Sequence, residues 1–132
     1  MKKAEKFSEQ DKAYMKIALD LSRRGLGTVF PNPSVGCVLV RDGHIIGRGW
    51  TGAGGRPHAE KNALKFAGNA ENSTAYVTLE PCSHYGKTPP CAQALINANV
   101  AKVIVTTSDP DPRVSGKGIR MLKDAGIQVE FG

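Results

Sequence analysis

A chain of 132 residues can bury one core but not two, so a single compact domain spanning 1–132 is expected. Its 18 Lys and Arg against 12 Asp and Glu give a formal charge of +6, which suits an anionic partner but equally suits a lysine-rich solvated surface. No apolar run reaches membrane-spanning length and no apolar stretch follows the charged start at 1–6, so a cytoplasmic protein without membrane contact is expected.

Ser8 followed by Glu9, Gln10 and Asp11 predicts a helix start, and Tyr14, Ile17, Ala18 and Leu21 then recur on one helical face that should stop near Gly25. The apolar runs 35–40 and 45–50 flank Arg41-Asp42-Gly43-His44, and the Asp-Gly pair predicts a hairpin turn. Pro57 with Ala59, Ala63, Leu64 and Ala67 predicts a second helix holding His58 and Glu60 in its first turn. A strand at 75–79 should run into Pro81-Cys82, and Thr88-Pro89-Pro90 resembles a capped start for a third helix with Cys91 at its head. A strand at 103–106, a helix at 116–125 with Ile119 and Leu122 inward, and a strand at 127–131 complete the pattern. Helices alternating with strands predict an α/β domain of three layers, α/β/α, around a central sheet of about five strands, mainly parallel apart from the opening hairpin. Ligands in such sheets bind beyond the carboxyl ends of strands.

The chemistry-bearing residues fall at such ends. His58, Cys82 and Cys91 offer one imidazole and two thiolates, a donor set that suits Zn²⁺, and three protein ligands leave a fourth position for water. An odd count of three cysteines, two of them at ligand spacing, fits a metal site in a reducing compartment better than a disulfide framework. The third, Cys37, reads as an inert core residue. Glu60, two residues after the histidine, is placed to carry protons rather than to bind metal. His-x-Glu followed by Pro-Cys and a second Cys is similar to the signature of zinc-dependent nucleobase deaminases, so hydrolytic deamination of an amino-substituted heterocycle is the expected reaction. Eight residues separate the cysteines here where that signature has two.

Longer motifs sharpen the resemblance. Pro31-Asn32-Pro33-Ser34-Val35-Gly36, His58-Ala59-Glu60, the fourteen residues Thr78-Leu79-Glu80-Pro81-Cys82-Ser83-His84-Tyr85-Gly86-Lys87-Thr88-Pro89-Pro90-Cys91, and Asp109-Pro110-Asp111-Pro112 with Gly116 and Gly118 resemble the deaminase domain of the bacterial riboflavin-biosynthesis deaminase/reductase family. The resemblance covers nearly the whole chain. It implies a cytidine-deaminase-like fold and the substrate 2,5-diamino-6-ribosylamino-4(3H)-pyrimidinone 5′-phosphate, whose 2-amino group is exchanged for oxygen. It also implies zinc on His58, Cys82 and Cys91, Glu60 as catalytic proton shuttle, and a pocket formed by Asn32, the Ala59 backbone, His84, Lys87, Asp109 and Asp111. Read on spacing alone, Lys87 is a loop lysine and Asn32 a turn residue between two prolines. The family often carries asparagine where Asp111 stands, so Asp111 either contacts substrate or only shapes its loop. The family usually continues into a nicotinamide-dependent reductase, and no glycine-rich dinucleotide motif occurs here, so the reductase is expected on a missing C-terminal part or on a separate chain.

Two other readings compete. A tRNA adenosine deaminase, or another nucleobase deaminase, shares the zinc signature and suits the basic charge, but the cysteine spacing argues against it. A zinc-stabilised binding module without enzymatic activity needs a fourth protein ligand, His84 or Cys37, and has no use for Glu60. Trp50 and Phe66 read as core or pocket wall, because the aromatics are few and not interleaved with basic residues, so nucleic acid is not the expected partner. His44, in a polar turn, should be exposed. Nothing in the sequence bars a homo-oligomer.

Overall fold

A computed structural model of the chain describes residues 8–23, 35–51, 58–79, 91–106 and 116–131. These form helices α1 (Glu9–Ser22), α2 (Ala59–Ala67), α3 (Cys91–Asn97) and α4 (Lys117–Asp124), and strands β1 (Gly36–Arg41), β2 (His44–Trp50), β3 (Thr74–Val77), β4 (Lys102–Val105) and β5 (Gln128–Phe131). The five strands make one sheet in the order β2-β1-β3-β4-β5.

The sheet is mixed rather than mainly parallel. β1 runs antiparallel to both β2 and β3, whereas β3, β4 and β5 are parallel. The hairpin forms where Asp-Gly predicts it: Asp42 and Gly43 take φ of 53° and 76°, the left-handed pair that matches strand twist in a two-residue turn. Tyr14 reaches across from α1 and its hydroxyl donates to the Gly43 carbonyl at 3.1 Å.

Side-chain alternation along the strands divides the core. Val38, Val40, Tyr76 and Ile104 meet Met15, Ala18 and Leu21 of α1 on one face. Cys37, Leu39, Ala75, Val77, Val103 and Val105 meet α2, α3 and α4 on the other. The three expected layers are therefore present. Met15 goes deeper on α1 than the expected Tyr14 and Ile17, which flank it. β3 ends at Val77, two residues short of the expected limit, because Thr78 turns its hydroxyl back to accept the Gly36 amide at 3.1 Å. Trp50 packs at the edge of the α1-side core as expected, but Phe66 does not: it is 65% exposed, with the Arg48 guanidinium 5.8 Å from its ring centre. His44 is exposed.

The start of α1 is tied to the sheet by one side chain. Ser8 and Asp11 form a capping box, with reciprocal bonds of 3.0 and 3.1 Å, and the other Asp11 oxygen accepts the Tyr76 hydroxyl at 2.5 Å. Burial works to raise the Asp11 pKa, but the bonds from Tyr76 and Ser8 and the charge of Lys102 outweigh it and hold the carboxyl below its ordinary value. A depressed folded-state pKa contributes stability above the ordinary value of 3.8 that is lost as pH falls through the folded-state value. Tyr76→Phe should therefore cost about 1.5–3 kcal/mol near neutrality, the range for a hydrogen bond to a charged group. Urea denaturation of both proteins should show that gap closing once the pH falls well below 3.8.

Candidate metal centre

α2 begins in an unusual way. Its N-cap is His58, at φ −71° and ψ 157°, and the side chain makes no capping bond, although Ser, Thr, Asp or Asn would satisfy an amide there. The imidazole is turned instead to Cys91, with Nδ1 3.1 Å from Sγ across 33 residues of sequence. Cys91 is the first residue of α3 and wholly buried. Amides of a helix's first turn favour negative charge, so a thiolate is well placed there. Contrary to the expectation from sequence, His58 caps the helix rather than standing within its first turn. From that position the ring reaches the start of α3.

The pair suits zinc in chemistry and in spacing. Tetrahedral zinc with ordinary bond lengths holds a nitrogen and a sulfur ligand about 3.6 Å apart, so a shift of a few tenths of an ångström would admit the ion. A metal held through Nδ1 would leave the imidazole proton on Nε2. Among the described residues no group of three or more His, Cys, Asp or Glu gathers, so Cys37 does not join His58 and Cys91. Cys82, the expected third ligand, lies outside the described residues.

Glu60 is only 4% exposed, in the first turn of α2 between the fully buried Ala59 and the half-buried Lys61. Its charge is felt by Cys37: burial first, and Glu60 second, push that thiol well above its ordinary pKa. Cys37 is thus a buried, neutral core group, as expected.

The other expected site residues, Asn32, His84, Lys87, Asp109 and Asp111, lie outside the described residues, but the points where their segments leave the sheet are defined. Gly36 and Thr78 exchange two bonds of 3.1 Å, Gly36 N–H to Thr78 Oγ1 and Thr78 N–H to Gly36 O. The Thr106 hydroxyl donates to the Thr78 carbonyl at 2.8 Å, and Thr51 Oγ1 accepts the Val35 amide at 2.9 Å. The start of β1 and the carboxyl ends of β3 and β4 are thereby laced together at one end of the sheet. Thr51, Thr78 and Thr106 carry no motif, so no sequence signal singles them out.

The cytidine and deoxycytidylate deaminase zinc-binding region matches residues 8–107 of this chain. The chain belongs to this deaminase family. Within the deaminases, the riboflavin biosynthesis protein RibD of Haemophilus influenzae is 59% identical over 92% of this chain and 33% of its own length. The diaminohydroxyphosphoribosylamino-pyrimidine deaminase of Buchnera aphidicola subsp. Schizaphis graminum is 51% identical over 93% of this chain and 84% of its own. Among solved structures, Acinetobacter baumannii RibD superposes with a TM-score of 0.91 at 55% identity, covering 94% of this chain and 35% of that one. The expected fold is therefore that of these deaminases. The chain spans about a third of the length of the Haemophilus RibD it matches, and most of the length of the Buchnera deaminase.

Substitution distinguishes a metal-binding cysteine from a packing one. Cys91→Ala should abolish stoichiometric zinc binding and Cys37→Ala should preserve it, with metal content read by plasma emission on the purified chains. Loss of zinc from both would make Cys37 a ligand and close the site.

Proposed function

We propose that this domain deaminates 2,5-diamino-6-ribosylamino-4(3H)-pyrimidinone 5′-phosphate, consuming water and releasing ammonia, with zinc held by His58, Cys82 and Cys91. The observation that carries the reading is the approach of His58 Nδ1 to Cys91 Sγ at 3.1 Å between the starts of two helices, with Glu60 buried in the first turn of one of them. The 51% identity to a deaminase named for this pyrimidine, over 84% of its length, supports the substrate.

Zinc held by these residues would supply a water acidified to about neutral pH, the nucleophile for the ring carbon bearing the amine. Glu60 takes one proton from the attacking water and delivers it to the adjacent ring nitrogen, then takes the remaining proton from the new hydroxyl and gives it to the amine, which leaves as ammonia as the carbonyl forms. Its burial removes competing bulk water from the carboxylate. Asn32, the Ala59 backbone, His84, Asp109 and Asp111 are the groups proposed to hold the ring and ribose, and Lys87 the phosphate. An ammonium answers a phosphate as a point charge, and such charge-assisted contacts are about twice as strong as neutral ones. The deaminated product is the substrate of a reduction, which a further domain or a separate reductase chain would perform.

The testing experiment is turnover of the purified chain on this phosphorylated pyrimidine, on cytidine and on tRNA in parallel. Turnover confined to the pyrimidine is expected, and preference for either of the others would overturn the assignment. Glu60→Gln should retain zinc and lose activity by about 10²-fold or more. If it lost its metal instead, the glutamate would be structural. Lys87→Ala should reduce kcat/KM on the 5′-phosphate far more than on the dephosphorylated nucleoside; equal losses would transfer the phosphate to Arg113 or to Lys117, which is exposed at the start of α4.

A further inference from the structure

β2 carries glycines at 47 and 49, both buried on the face covered by α2, and neither takes positive φ. Their requirement is space. A Cβ on Gly49 would lie 2.7 Å from the Ala59 carbonyl oxygen, 2.7 Å from the Ala63 amide nitrogen and 2.8 Å from Asn62 Cβ. A Cβ on Gly47 would strike the Ala63 carbonyl oxygen and stand 2.9 Å from Ala67 Cβ. Real Cβ contacts essentially never fall below 3.0 Å, and two of the three atoms facing Gly49 are backbone, which cannot rotate aside. α2 therefore rests backbone to backbone on β2.

A second contact sets where along the strand the helix sits. Asn62 Nδ2 donates to the carbonyl of Trp50, the last residue of β2, at 2.8 Å. Asn62 N–H also bonds the His58 carbonyl at 3.1 Å, so one residue joins the strand end to the helix start. One of the two groups that Gly49 admits most closely, the Ala59 carbonyl, belongs to the residue between His58 and Glu60. Any lift of Ala59 therefore displaces His58 and Glu60 with it.

Resting on the deaminase reading above, we propose that Gly49 and Asn62 are positioning residues for the reaction. They set the depth and the axial position of the first turn of α2, and through it the placement of His58 and Glu60. Bringing a Cβ at Gly49 from 2.7 Å to the ordinary contact range above 3.4 Å requires the turn to rise by several tenths of an ångström. A displacement of about 1 Å at a reacting group can cost about 10²-fold in rate, so a loss of roughly tenfold to a hundredfold in kcat is expected, with KM changed less.

The test compares Gly49→Ala, Asn62→Ala and a control, Ile104→Val, which thins the core on the opposite face of the sheet. Each chain is loaded with cobalt(II), and its thiolate-to-cobalt absorption, melting temperature, kcat and KM are measured. The expected result is a shifted cobalt spectrum and a fall in kcat for Gly49→Ala and Asn62→Ala. Ile104→Val should lower only the melting temperature. Asn62→Ala introduces no clash, so it keeps the test alive if Gly49→Ala fails to fold. Unchanged cobalt spectra and unchanged kcat in folded Asn62→Ala would overturn the proposal. If wild type bound cobalt but did not turn over the pyrimidine, the deaminase reading would fall, and the spectra alone would decide whether Gly49 and Asn62 place His58. Failure of wild type to bind cobalt would overturn both.

Discussion

The reversal of strand direction at the centre of the sheet is the constraint on which the site depends. β1 runs against β3, whereas β4 follows it, so the beginning of one strand and the ends of two others share one edge of the sheet. An all-parallel sheet would send the segment before β1 to the far end. The paired bonds between Gly36 and Thr78, and the Thr106 hydroxyl on the Thr78 carbonyl, hold that edge together. Because Gly36 N–H is buried where it meets Thr78, a valine at 78 would leave that donor unsatisfied at roughly 1–3 kcal/mol.

Helix placement then follows from glycine and alanine on facing surfaces. α2 presents Ala59 and Ala63 to β1 and β2, and β2 answers with Gly47 and Gly49, so the two elements approach more closely than larger side chains permit. Cys37 packs in the same core cluster as Ala59 and Ala63, and burial together with the charge of Glu60 holds its thiol neutral.

Features encoded locally were legible in the sequence. Asp42-Gly43 names its own turn, Ser8 and Asp11 name their own cap, and the apolar repeat of α4 places Ile119 and Leu122 inward as observed. Features decided by partners distant in sequence were not. Met15 outranks Tyr14 on α1 because Tyr14 is drawn toward Gly43 and stacks near Tyr76, with ring centres 5.4 Å apart. β3 is short because Thr78 bonds sideways. His58 leaves the helix because its ring is claimed by Cys91. Phe66 stands seven residues after Ala59 and three after Ala63, so periodicity alone places it with the buried face, yet it lies at the surface beside Arg48. Of the site, His58, Glu60 and Cys91 were readable as chemistry, whereas Gly49 and Asn62 act through contacts that only a folded chain makes.

The His58–Cys91 approach also has a meaning for the unfolded chain. An ion bridging residues 33 apart ties off a loop much as a disulfide would, and the chain-entropy relation for such a tie gives about 4 kcal/mol. Unlike a disulfide, such a clasp would need no oxidant and would open when its ion was withdrawn. Two short helices, one of nine residues and one of seven, would then owe part of their mutual order to that ion. Folding and activation would become one event, governed by how much metal the surroundings can spare.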